Sequence, residues 1–241
     1  MTDRRKMRLT DIAISAELDK ATAFRLLKLL VIEGFIVRDP ETKRYGFGKE
    51  LFLLSAALQS RTDLRSLARP SIVRLAHAFG DTTILSVPSA MESVCLDICF
   101  GNFPIRANYL DIGTRRPLGA GAGSFALLYC LPDAEIAAIF PKIITGLEKY
   151  RNITPHYVKE QIGNARIHGH AVLIDVIVEG MGGIGVPILD SHGRSIGAIS
   201  IAALTNRILS REEHLARALK RESGVIAKLY SENINSYHLN T

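Results

Sequence analysis

A threonine and two cations in the segment from Lys20 to Glu33 have the types and spacing to bind a nucleic acid. Thr22, Arg25 and Lys28 fall within two helical turns, on the face opposite the leucines. Hydroxyl and cationic groups placed in this way can hydrogen-bond phosphate oxygens and guanine edges, and the small side chain of Ala21 permits a close approach. The segment predicts a DNA-contact surface; the alternative is an ordinary core helix with a solvated face.

The glycine-rich run RRPLGAGAGSFALLYCL, which starts at Arg115, is the second candidate for binding chemistry. It leads directly into an apolar helix, whose free amides and N-terminus can hold a carboxylate or another anion. Its spacing matches neither GxxxxGK[ST] nor GxGxxG, which argues against a nucleotide phosphate loop. Close packing of the helix against a sheet is the alternative reason for any one of these glycines.

Candidates for catalysis and metal binding are few. Ser124 has no visible His and Asp pattern around it, and Cys130 lies within an apolar helix. His168 and His170 form a close pair without a third ligand, and Cys95 and Cys99 are expected to share one face of a strand without a CxxC partner. We therefore expect no enzyme activity, no metal and no cofactor.

The elements that position the first candidate read as a winged helix-turn-helix. A short helix is expected from about 11 to 16, then a turn of about three residues and a helix from 20 to 33 that ends at Gly34. The runs FIVRD and RYGF predict two short strands around a charged turn, with Arg38, Lys43 and Arg44 flanking it or at its tip. A basic excess supports this interpretation, because residues 1 to 70 hold 14 Lys and Arg against 9 Asp and Glu, and the remainder holds 16 against 15.

The rest of the chain predicts an α+β domain behind a helical connection. Helical patterns run from Lys49 to about Phe79 with a break at Thr62 and Asp63, and Pro70 is expected to begin the second helix. Two β-hairpins follow, one over TTILSVP and SVCLDICF and one around the turn DSHGRS. Further helices are expected at about 122–131, 155–168 and 211–230.

The segment LTDIAISAELDKATAFRLLKLLVIEGFIVRDPETKRYGFG resembles the DNA-binding domain of IclR-type transcriptional regulators. The resemblance implies a small winged helix-turn-helix domain at 1–48, a linker helix at 49–65 and a GAF-like effector-binding domain at 66–241. It implies binding of an operator by a homodimer or homotetramer. The DNA-contact residues predicted from the pattern and the resemblance are Lys20, Ala21, Thr22, Arg25, Lys28, Arg38, Lys43 and Arg44.

In such regulators the second domain binds a small organic acid, often aromatic, between loop, helix and sheet. The resemblance therefore implies one wall of the effector site made by Leu118, Gly119, Gly121, Ala122, Gly123 and Ser124. The opposite wall would hold Asp175, Ile184, Ser200 and Ala202.

Two departures from the family pattern affect the DNA-binding domain. Only eight residues precede Leu9, where family members have a complete helix, so one scaffold helix is expected to be missing. Glu17 stands where the family's turn usually carries glycine, and a positive φ at this position would cost stability. The alternative function is accordingly a ligand-binding sensor whose DNA-binding head no longer works.

The expected location is the cytoplasm, with no membrane partner. The basic N-terminus lacks the apolar run of a signal peptide, and arginines, a proline and glycines interrupt the longest apolar stretch, near residues 112–131. Three cysteines, an odd number, do not form a paired disulfide framework.

Overall fold

A computed structural model describes residues 6–59, 63–106, 110–150 and 153–238. The chain forms two compact units, Met1–Asp63 and Leu64–Thr241. The segment expected to be a linker is divided between them: its first helix belongs to the first unit, and its end belongs to the second. No helix in the described ranges is long and apolar enough to cross a membrane.

The described residues of the first unit form three helices and a two-stranded ribbon. The elements are Leu9–Ser15 (α1), Lys20–Ile32 (α2), Ile36–Arg38 (β1), Tyr45–Phe47 (β2) and Lys49–Gln59 (α3). The two strands pair antiparallel, and an isolated bridge joins Met7 to Tyr45. Ala13, Ala23, Leu27 and Tyr45 are buried in this unit. The predicted helix-turn-helix and wing are present, with α1 beginning two residues before the expected start.

Glu17 ends the first helix in a left-handed conformation, with φ of 54°. The Leu18 amide donates to the Ala13 carbonyl at 3.0 Å and the Glu17 amide donates to the Ile14 carbonyl at 3.1 Å. These two bonds form a Schellman cap, whose left-handed residue is usually glycine because a Cβ is strained there. Glu17 therefore has the positive φ that was expected to cost stability at this position.

We expect Glu17→Gly to stabilise the first unit by about 1 kcal/mol, because glycine adopts a left-handed conformation without the Cβ penalty. Amide hydrogen exchange in α1 and α2 measures the change. Glu33→Gly is the control, because Glu33 ends α2 with φ of −75° and gains nothing from glycine. This assignment of strain would be contradicted if amide exchange slowed in Glu33→Gly, or if it did not slow in Glu17→Gly.

The second unit is built on a six-stranded antiparallel sheet. Its strands are Thr82–Ser89 (β3), Glu92–Cys99 (β4), Arg115–Pro117 (β5), Ala171–Ile174 (β6), Met181–Leu189 (β7) and Ser195–Leu204 (β8). Their order across the sheet is β5-β4-β3-β8-β7-β6. Its helices are Leu64–Phe79 (α4), Ala122–Tyr129 (α5), Asp133–Leu147 (α6), Pro155–His168 (α7), Thr205–Leu209 (α8) and Glu212–His238 (α9). Both predicted hairpins are part of this sheet.

The two faces of the sheet carry different layers of helices. On one face α4, α8 and α9 pack against Leu85, Ile184 and Ile199, all of them buried. On the other face α5, α6 and α7 pack around Phe125 and Leu173. Because side chains alternate along a strand, Ile199 and Ile201 of β8 face the first layer, and Ser200 and Ala202 face the second.

One helix prediction is corrected, and two helices among the described residues, α6 and α8, were not predicted. Pro70 lies inside α4 rather than at its start, since the helix begins at Leu64. The helix α6 was not predicted; Pro141 and Gly146 interrupt its pattern, yet Ile136, Ile143 and Leu147 are buried along one side.

Candidate DNA-binding surface and effector site

The outer face of α2 presents the predicted DNA-contact residues. Lys20, Ala21, Arg25 and Lys28 are exposed and Thr22 is half-buried. The Arg25 guanidinium donates to the Thr22 hydroxyl at 3.4 Å. In the free protein the hydroxyl and the cation are therefore adjacent and face solvent, as contact with a groove requires.

Asp19 fixes the start of this helix. Its carboxylate accepts hydrogen bonds from the amides of Ala21 and Thr22, each at 3.0 Å. A hydrogen bond from the Thr22 side chain, together with these amide bonds, lowers the pKa of Asp19 below its usual value. The N-cap is therefore ionised at neutral pH and holds the first turn, including Thr22, in place.

The three predicted basic residues of the ribbon differ in their surroundings. Lys43 is exposed at the tip, with φ of 57°, and the Arg38 guanidinium lies 5.7 Å from the centre of the Tyr45 ring. Arg44 donates to the Lys6 carbonyl at 2.9 Å and is partly buried. Arg38 and Lys43 are thus free to approach phosphates, whereas Arg44 ties the ribbon to the segment before α1.

A cavity lies between the sheet and the N-terminus of α5. Its volume is about 50 Å³, enough for a few water molecules. Of the residues that line it, six were predicted: Gly121, Ala122, Gly123, Ser124, Ser200 and Ala202. The others are Ile84, Ser86, Ser93, Cys95, Leu110, Thr114, Arg116, Ala120, Leu173, Val176, Ile177, Met181, Gly182, Gly183 and Ile201.

Three buried serine hydroxyls face this cavity. Ser86, Ser93 and Ser200 have exposures of 8%, 6% and 4%, and none has a hydrogen-bond partner within the described part of the chain. The fully buried side-chain oxygens without a partner among the described residues belong to Thr82 and Thr83, so the serine oxygens open onto the cavity, where a polar ligand or water can complete their bonds. Arg116 alone is charged among the described lining residues.

Glycines bring α5 against the sheet at this point. A Cβ on Gly185 would lie 2.6 Å from the Ala122 carbonyl oxygen, and one on Gly123 would lie 2.9 Å from the Ser200 hydroxyl. Gly121, with φ of 102°, turns the chain into the helix. The first turn of α5 therefore lies directly on β7 and β8, with its free amides at the cavity.

Four residues expected in the effector site do not line the cavity. Leu118 is buried in the core around α5, and Gly119 faces Leu147. Ile184 faces the layer of α4 and α9, because neighbouring residues of a strand point to opposite faces and Gly183, the residue before it, lines the cavity. The Asp175 carboxylate accepts bonds from the Gly180 amide and the Thr205 hydroxyl, each at 2.8 Å, so it closes a loop instead.

Cys95 and Arg116 belong to the lining but were not predicted as site residues. A bulge in the pairing of β3 and β4 shifts the register between Leu85 and Ser86, and it places Cys95 and Cys99 on opposite faces, against the expectation that they share one. Burial, with a smaller contribution from Asp97, raises the pKa of Cys95 to about 11. The cavity thiol is therefore neutral at pH 7.

The residues considered for catalysis are occupied or inert. The Ser124 hydroxyl donates to the Pro117 carbonyl at 2.9 Å, and burial raises the pKa of Cys130 to about 11. The His170 Nε2 lies 3.0 Å from a carboxylate oxygen of Glu212. In the described ranges, no three His, Cys, Asp or Glu side chains are placed to hold a metal.

Comparison with known proteins agrees with this arrangement. The family model for the IclR helix-turn-helix domain matches residues 1–40. The model for the C-terminal domain of bacterial IclR transcriptional regulators matches residues 56–227. The chain belongs to the IclR family. The family resemblance of the winged helix-turn-helix segment is thereby confirmed, and the α+β fold class with it.

Its IclR relatives include two named regulators from Escherichia coli (strain K12). The HTH-type transcriptional regulator XynR is 27% identical over 226 residues, which cover 91% of this chain and 87% of that protein. The HTH-type transcriptional repressor AllR is 29% identical over 204 residues, which cover 83% and 74%. Members of this family regulate transcription by binding DNA, and these relatives give no support to the alternative of a sensor without a working head.

Solved IclR structures share the fold. A putative IclR regulator from Silicibacter sp. TM1040 superimposes with a TM-score of 0.79 at 20% identity, covering 95% of this chain and 91% of that one. An IclR homologue from Microbacterium hydrocarbonoxydans, in complex with 4-hydroxybenzoate, gives 0.71 at 22% identity, covering 96% and 94%.

Proposed function

We propose that this regulator contacts its operator through the outer face of α2 and changes its DNA affinity when an organic acid occupies the α5 cavity. The contact residues are those predicted from the sequence, centred on Thr22 and Arg25, with Arg38 and Lys43 of the ribbon on adjacent phosphates. The protein acts in the cytoplasm, where bacterial operator DNA lies, and it has no catalytic role.

One observation supports the effector assignment above the others: three serine hydroxyls that make no hydrogen bond with the described residues line the cavity at the first turn of α5. A carboxylate accepts hydrogen bonds from hydroxyls and from the free amides of a helix N-terminus, and Arg116 adds a positive charge. The apolar residues of the lining, such as Ile84 and Val176, suit the carbon skeleton of the acid. The cavity, at about 50 Å³, must widen as the acid enters, because ligand sites commonly have volumes of roughly 300–1,000 Å³.

A thermal-shift screen of carboxylates tests this proposal. The panel holds short aliphatic acids and aromatic acids such as 4-hydroxybenzoate, the compound bound by the Microbacterium hydrocarbonoxydans homologue. An acid at about a hundredfold excess over its Kd is expected to raise the Tm by roughly 5–10 °C. Absence of a shift with every acid would contradict the effector class.

Ser200→Ala is expected to weaken binding of the acid about tenfold or more, because it removes one hydrogen bond to a charged group and little else. Isothermal titration calorimetry with the acid found in the screen measures the loss of affinity. Ser231→Ala is the control, since the Ser231 hydroxyl bonds the Ala227 carbonyl of α9, away from the cavity. Equal loss in the two variants would contradict the placement of the site.

We further propose that two copies associate through the apolar face of the first unit. Phe47, Phe52 and Leu53 have exposures of 73%, 74% and 54%. Phe47 and Phe52 line the same surface pocket, and exposed apolar side chains so placed mark an interaction surface. Paired DNA-binding heads match a palindromic operator.

Phe52→Glu is expected to lower the molar mass in solution, because a charge placed in an apolar interface is costly to desolvate. Light scattering coupled to size-exclusion chromatography measures the mass. Ile167→Glu is the control, because Ile167 is equally exposed, at 79%, on α7 of the second unit. An unchanged mass for Phe52→Glu, or an equal fall in the control, would contradict this interface.

A further inference from the structure

A groove between α4 and α9 in the second unit combines positive charge with an apolar floor. Its volume is about 930 Å³, and it lies on the opposite side of the sheet from the α5 cavity. The lining residues are Arg74, Leu75, His77, Ala78, Phe79, His214, Arg217, Ala218, Arg221 and Glu222. Ligand sites commonly have volumes of roughly 300–1,000 Å³, so the groove is large enough for an organic molecule.

The charges of the groove do not balance. Among its described lining residues the one carboxylate is that of Glu222, which is buried and already pairs with Arg74 at 2.6 Å and with Arg221 at 3.2 Å. Arg217 is exposed and has no ion pair or hydrogen bond within the described residues. Three guanidinium groups against one carboxylate leave a net positive charge, which favours an anionic ligand.

The guanidinium groups and the rings point to the kind of anion. All the permanent cations of the lining are arginines, whose planar forks match phosphate oxygens and also stack on flat rings. Phe79 and His214 form an edge-to-face pair with centroids 5.1 Å apart beside them. A molecule that carries phosphates on a flat ring would meet both features of the groove.

We propose that this groove is a second ligand site, which binds a ring-bearing molecule with two or more phosphate groups, the chemistry of a nucleoside polyphosphate. A second copy of the chain does not fit as the occupant of a symmetric contact, because such a contact would bring the same arginines together. This site does not depend on the proposed effector cavity, since the two share no lining residue.

Isothermal titration calorimetry of the full chain with ATP, tripolyphosphate and adenosine, at fixed ionic strength, tests the proposal. ATP is expected to bind saturably, tripolyphosphate more weakly because it has no ring, and adenosine below detection. Arg217→Gln is expected to weaken ATP binding about tenfold to a hundredfold, because it removes a charge-assisted bond. Lys228→Gln, an exposed cation further along α9 and outside the groove, is the matched control.

Four results would overturn the proposal, three of them from the ATP titrations. The three are no saturable binding of ATP, equal affinity for ATP and tripolyphosphate, and equal losses in Arg217→Gln and Lys228→Gln. A fourth is loss of operator affinity in Arg217→Gln without loss of ATP affinity, which would assign the groove to DNA instead.

Discussion

Arg25→Ala is expected to weaken operator binding by about 1–3 kcal/mol, which is roughly fivefold to 150-fold. Arg25 is exposed on the outer face of α2, where its guanidinium already contacts the Thr22 hydroxyl. A cation at this position can bond a guanine edge or a phosphate, and its loss removes that bond in the complex. Fluorescence anisotropy with DNA fragments selected by this protein measures the affinity.

The salt dependence separates the two roles of Arg25. If it binds phosphate, the slope of log affinity against log salt falls by about one, and all sequences lose affinity alike. If it reads guanine, the loss is confined to the selected sequence. Arg194→Ala is the control, because Arg194 lies on the exposed turn between β7 and β8 of the second unit. Wild-type affinity for Arg25→Ala at every salt concentration would contradict the assignment of this surface.

Gly185→Ala is expected to lower the free energy of unfolding of the second unit by about 1–3 kcal/mol and to abolish acid binding. The new Cβ would lie 2.6 Å from the Ala122 carbonyl oxygen and 3.0 Å from the Gly123 amide nitrogen. These are backbone atoms, so the first turn of α5 must move away from β7. The amides and hydroxyls that surround the cavity would then separate.

Chemical denaturation and titration with the acid measure both effects. Gly163→Ala is the control: Gly163 lies inside α7, and a Cβ there meets nothing within 4 Å. Alanine favours the helix, so this control is expected to gain up to about 1 kcal/mol. Wild-type stability and acid affinity in Gly185→Ala would show that the contact between α5 and β7 does not shape the site.

The proposed DNA-contact face of α2 followed from the sequence because local signals determine it. Asp19 caps α2, Gly34 follows its end with φ of 75°, and the spacing of Thr22, Arg25 and Lys28 places them on one face. The strained turn at Glu17 was predictable for the same reason, since a left-handed residue at a helix C-terminus is a local requirement. The sequence could not show that Arg44 differs in role from Arg38 and Lys43, because the hydrogen bond from Arg44 to the Lys6 carbonyl depends on tertiary structure.

The lining of the α5 cavity was predicted only in part because strand register decides which side chains face it. Ser200 and Ala202 were placed correctly on the cavity side of β8, but Ile184 was chosen in place of Gly183, its neighbour on the opposite face. Alternation along GGIGV of β7, taken with the glycines that admit α5, could have identified Gly183. The bulge that turns Cys95 towards the cavity has no comparable signal in the sequence.

The most direct test of the central claim is operator affinity with and without the acid found in the thermal-shift screen. The wild-type protein is expected to change its affinity by roughly 5-fold to 150-fold when the acid binds, because allosteric coupling typically amounts to about 1–3 kcal/mol. Ser200→Ala is expected to need about tenfold more acid for the same change. An acid that binds the α5 cavity and leaves operator affinity unchanged would contradict this account.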